Sequence, residues 1–144
     1  MTAAEDSVPG SGRSMSRTEA RTKALEVLFA ADLRGVPAGT LLDDPEGGWV
    51  DEFTRTLVTT VADNRYDIDQ LIGERAEGWT LDRMPGVDRN VLRLGLAELL
   101  YIDEVPPAVA IDEAVELAKS LSTDSSPRFV NGILAAVARD RDLL

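Results

Sequence analysis

The sequence predicts an all-α, compact single domain of about five to seven helices. Three observations support this. Apolar residues recur at three- and four-residue intervals in five separate segments. No alternating Val/Ile/Thr run lies between turn residues, and no internal repeat occurs. At 144 residues the chain can bury roughly 70% of its unfolded surface around one core, so the absence of cysteine leaves it without a staple it does not need.

Residues 1–14 are rich in Gly, Ser and Pro and carry no periodic apolar positions. They are expected to form a disordered extension, with Met15 as an alternative natural start and residues 15–144 as the domain. Ser16 and Glu19 form a Ser-x-x-Glu capping box, which opens a helix that Gly35 ends. Ala20, Ala24, Leu25, Val27, Leu28, Phe29 and Ala31 leave that helix little polar surface, so it belongs near the centre. Arg17 and Arg21 project from one side of its exposed start, joined by Arg13 if the helix extends back. Lys23 points roughly 160° away from Arg21. The arginines are either phosphate contacts or a solvated helix end.

Gly35 to Gly48 holds two prolines and four glycines, which predicts a long loop, with one turn of helix as an option. Trp49, Phe53, Leu57 and Val61 mark a second helix. Ile68, Leu71, Ile72 and Arg75 mark a third, after the Asp63-Asn64 break. Trp79 is expected to plug the core between the halves, with base stacking as the alternative. Gly86 and Asp88 introduce a helix through Val91, Leu92, Leu94, Leu96, Leu99 and Leu100. Arg93 within it is a buried partner of a carboxylate or a phosphate contact, with the former favoured.

The stretch Pro106–Val137 reads as two amphipathic helices joined by a polar turn, against which the rest is expected to pack. Ala110, Ile111, Ala114, Val115, Leu117, Ala118 and Leu121 share one arc, opposite Asp112, Glu113, Glu116 and Lys119. Ser126 is the expected N-cap of the last helix, and Pro127 its first residue. Arg128 then faces the positive end of the macrodipole, which stability alone does not select. It is either half of an anion-binding corner or the partner of Asp124. Phe129 stacks on a base or sits in the core; the spacing of Ile133, Ala136 and Val137 leans towards the core.

The absence of histidine removes the commonest general base, the imidazole ligand and every Ser-His or Cys-His arrangement. Asp43/Asp44, Asp103/Glu104 and Glu113/Glu116 sit in charge-rich settings where solvated ions are the default. Phosphate-loop, dinucleotide and hydrolase motifs do not occur. No enzyme, cofactor or metal site is expected. No apolar run approaches the ~20 residues of a membrane span, so a cytoplasmic location with no membrane partner is expected.

The net charge of −11 at first opposes nucleic acid. Its distribution is uneven. Arg13, Arg17, Arg21 and Lys23 surround Glu19 alone, whereas residues 40–77 carry ten carboxylates against Arg55, Arg65 and Arg75. A basic pole on an acidic body suggests two partners, one an anion and one a basic protein.

The run AIDEAVELAKSLSTDSSPRFVNGIL resembles the C-terminal signature of the NusB family of bacterial transcription antitermination factors. RTEARTKALEVLF and VLRLGLAELL match further blocks in the family's order. The resemblance implies a NusB-like all-helical RNA-binding domain that takes boxA-type single-stranded RNA together with the ribosomal protein NusE. It also implies a place in the RNA polymerase antitermination complex, where termination is suppressed during ribosomal RNA synthesis. Since some members pair up, a homodimer stays open. Carried over residue by residue, the RNA-binding positions are Arg17, Arg21, Phe29, Arg93, Arg128 and Phe129, and Asp88 faces the partner. Phe29 stands where a tyrosine is frequent, and Ala97 where an aromatic is common. The competing reading is an acidic helical scaffold that docks a basic protein without touching RNA.

Overall fold

Ser16 opens the first helix as the capping box requires. Its backbone N–H donates to Glu19 Oε1 at 2.9 Å, and the Glu19 N–H donates to Ser16 Oγ at 3.0 Å. The computed structural model describes residues 15–144; the extension expected over residues 1–14, Arg13 included, lies outside them. Among the described residues there are seven α-helices and no strand. They are α1 (Arg17–Arg34), α2 (Ala38–Leu42), α3 (Glu52–Asp63), α4 (Arg65–Arg75), α5 (Gly86–Tyr101), α6 (Pro107–Leu121) and α7 (Ser126–Asp140). Short 3-10 turns lie at Pro45–Gly47 and Leu81–Arg83.

Local chemistry explains the breaks. Gly35, at φ 70°, ends α1 by donating its N–H to Ala31 and Asp32. Asp51 caps α3 by accepting from the Thr54 N–H at 3.0 Å. That cap puts Trp49 outside the helix its spacing assigned it to, half-exposed in the preceding loop.

The central element is α5 rather than the α6–α7 pair. Eleven of its residues are buried, and it packs against α1, α3, α4, α6 and α7. The reason is compositional: α6 and α7 keep a polar back, whereas α5 is apolar around most of its circumference. Gly95 makes the closest approach, since a Cβ there would stand 2.8 Å from Leu134 Cδ1 and 3.1 Å from Ala114 Cβ. Leu92, Leu94 and Leu96 of α5 join Leu57, Val61, Ile68, Ile72, Leu134 and Val137 in one core. Each such side chain contributes about 1.5–3 kcal/mol on removal from water.

Two apolar expectations are corrected. Trp79 does not plug the core; it is 43% exposed. Leu121, the last residue of α6, is likewise exposed, although Ala118 in the same turn is fully buried.

Candidate nucleic-acid interface

Two ion pairs fix how α1 lies along α5. Arg21 near the start of α1 meets Glu98 late in α5, and Asp32 near the end of α1 meets Arg89 early in α5. The helices are therefore antiparallel. The nominated residues fall at two ends separated by about 16 Å, eleven residues of helical rise.

At the first end, Arg21 is 4% exposed, and its Nε donates to both Glu98 oxygens at 2.9 and 2.8 Å. Its Nη1 also lies 3.4 Å from Glu113 Oε1. Arg17 stays half-exposed, paired with Glu104 and lying 4.1 Å over the ring of Phe53. Arg21 lies over the same ring at 5.5 Å, so the two arginines do share one side of α1. Lys23 is elsewhere, donating to the Gly47 carbonyl at 3.2 Å. The basic pole read along the chain is thus met in space by Glu98, Glu104 and Glu113. No local spacing signals this, because those carboxylates lie far along the chain.

At the second end, Phe29 is 36% exposed and lies against the first turn of α5, where a Cβ on Gly86 would come 2.8 Å from its ring. Arg89 donates to Asp32 at 2.8 Å and to the carbonyls of Leu81 and Met84 at 2.7 and 3.1 Å. Arg93, 4% exposed, donates to Asp69 at 2.9 and 3.1 Å and lies 3.2 Å from Asp32. It is the buried carboxylate partner that the helix pattern favoured. Burial alone would raise the Asp32 carboxyl, but the Asn90 amide, Arg89 and Arg93 more than offset it and hold Asp32 below the usual range.

Asp88 faces inward, at 3% exposure. Ser122 Oγ donates to one of its oxygens, and Ser126 Oγ donates to the other at 2.9 Å. Ser126 also accepts from the Thr123 N–H at 3.2 Å. This use of the hydroxyl explains why Ser126 is the first residue of α7 rather than its cap, a place taken by Ser125. Asp88 thereby ties the α6–α7 turn to the start of α5.

That turn presents Arg128. It is exposed, and it has no carboxylate partner among the described residues, so the pairing with Asp124 does not form. Phe129 beside it is half-buried against the core and meets Trp79 edge to face, with ring centroids 5.3 Å apart. Of the four nominated arginines, three have carboxylate partners and Arg128 is left over.

Fold and surface together define a helical binding protein with an exposed cation, Arg128, directly before the Phe129 ring on which the exposed Trp79 packs. Residues 18–139 match the model of the NusB family, and the chain belongs to that family of transcription antitermination factors. It is a regulatory protein and not a catalyst. The chain is 60% identical over 134 residues to the transcription antitermination protein NusB of Saccharopolyspora erythraea, covering 90% of each chain. Its fold is similar to that of T. maritima NusB, with a TM-score of 0.78, 35% identity and coverage of 88% of this chain and 93% of that one. It is also similar to a chain in the crystal structure of antitermination factors NusB and NusE in complex with dsRNA. There the TM-score is 0.73, the identity 31% and the coverage 88% and 99%.

Proposed function

We propose that this chain binds boxA-type single-stranded RNA jointly with the basic ribosomal protein NusE. The pair acts in the cytoplasm within the RNA polymerase antitermination complex, suppressing termination during ribosomal RNA synthesis. The observation that carries this reading is Arg128: an exposed arginine without a carboxylate partner among the described residues, directly before the Phe129 ring that meets the exposed Trp79, on a chain whose net charge is −11. Single strands are held by phosphate contacts and by stacking, and this corner offers both.

In this reading Arg128 takes a phosphate, and the rings of Phe29 and Phe129 lie along the strand. Arg17 joins by exchanging Glu104 for a phosphate. Arg21 and Arg93 act through position, holding α1 and α4 against α5. Asp88 serves the partner surface by fixing the turn that presents Arg128. A homodimer that hides this corner would weaken RNA binding as protein concentration rises.

The test is RNA affinity as a function of salt, measured with a boxA oligoribonucleotide. Arg128→Ala should weaken binding across sequences and flatten the log–log salt slope by about 0.7, the single-strand value per phosphate contact. A folded variant with an unchanged slope would remove Arg128 from the phosphate ligands. Failure of the unaltered chain to bind RNA, with or without NusE, would favour the protein-scaffold reading.

A further inference from the structure

Trp79 has a position that core packing does not explain. Gly78 adopts φ 79°, a left-handed turn that favours glycine, and the Trp79 N–H closes the turn on the Ala76 carbonyl at 2.9 Å. The chain leaving α4 is thereby bent so that the indole stands over the first turn of α7 instead of entering the core. Its aromatic neighbour is Phe129, whose plane is inclined at 69° to it. Phe129 is anchored on a helix and against the core, so the indole rests on a rigid support. Even so, 43% of the tryptophan stays in water, and the residue directly before Phe129 on α7, Arg128, is exposed and without a carboxylate partner among the described residues.

A supported, exposed indole, with an unpaired arginine one residue from the ring that supports it, answers to what one nucleotide of a single strand offers: a flat base and a phosphate. We propose that Trp79 is a base-stacking residue, taking the base of an RNA nucleotide whose phosphate is held by Arg128. This rests on the RNA-binding reading above and adds to it a subsite and its chemistry. A tryptophan that merely covers the core would instead be indifferent to RNA.

The chain has two tryptophans, so Trp49→Phe leaves Trp79 as its sole indole. That variant, with NusE present, is titrated with a boxA oligoribonucleotide while RNA anisotropy and indole emission are followed together. The indole should be quenched saturably, with the same midpoint as the anisotropy. Trp79→Leu should weaken binding about fivefold or more, the low end of the range for losing one stacked base. Its salt slope should match that of the unaltered chain, because no phosphate contact is lost. Trp79→Phe should recover much of the affinity. Tight RNA binding with unchanged emission would overturn the proposal, as would full affinity in a folded Trp79→Leu variant. If Trp79→Leu does not fold, the quenching titration decides alone. Absence of RNA binding by the unaltered chain would bring down the RNA reading itself, whereas binding with a silent Trp79 would remove only this subsite.

Discussion

Arg17 and Arg21 stand one turn apart on α1 and differ in what surrounds them. Arg21 forks onto Glu98, which is itself 1% exposed, so deleting the arginine would strand a charge in the interior. Arg21→Ala should therefore lower the unfolding free energy by about 3–5 kcal/mol in urea titrations. Arg21→Lys should recover only part of it, because an ammonium cannot reproduce the two-pronged contact. Arg17→Ala, on a half-exposed pair, should change stability by no more than about 1 kcal/mol. Equal, small effects at both positions would show that the Arg21–Glu98 pair is open to solvent in solution.

Between elements, the tightest constraint is where α5 meets α6 and α7. Gly95→Ala gains helix propensity of up to about 1 kcal/mol but sets a methyl 3.1 Å from Ala114 Cβ, which cannot rotate away. The overpacking should win and cost about 1–3 kcal/mol. Gly132, on the open face of α7, has nothing within 4 Å of an added Cβ. Gly132→Ala should raise the melting temperature while Gly95→Ala lowers it, and two changes of the same sign would contradict this packing. The helices themselves were legible in the sequence, because caps and three-to-four periodicity act within a few residues. The capping box at Ser16 and the stop at Gly35 are of that kind. Periodicity says which way a side chain points but not whether anything covers it, which is why Leu121 reads as core in the sequence; Trp79, after Gly78 and outside the helices, carries no periodic signal, and its size and apolarity alone suggest burial. It is also silent about partners from distant segments. The pole around Arg17 and Arg21 looked free only because Glu98 and Glu104 lie 77 and 87 residues further on.

Across the whole molecule, a net charge of −11 opposes a polyanion, although salt screens that field beyond roughly 8 Å at physiological ionic strength. A basic protein docked on the acidic body would offset the repulsion and add cations near Arg128. RNA and NusE should therefore bind with a favourable coupling of about 1–3 kcal/mol, equal in both directions. Calorimetry of the four binding steps closes the cycle; equal RNA affinity with and without NusE, in moderate salt, would leave the scaffold reading as the better one. The long sequence separation between α1 and its carboxylates has a further meaning during synthesis. At ribosomal speeds of about 5–20 residues per second, the 77 residues from Arg21 to Glu98 take about 4–15 s to make. Throughout that interval the newborn chain displays α1 with its arginines unmatched by Glu98, Glu104 and Glu113, on the surface of a particle built largely of RNA. The first end of the molecule is neutralised only when its last third emerges.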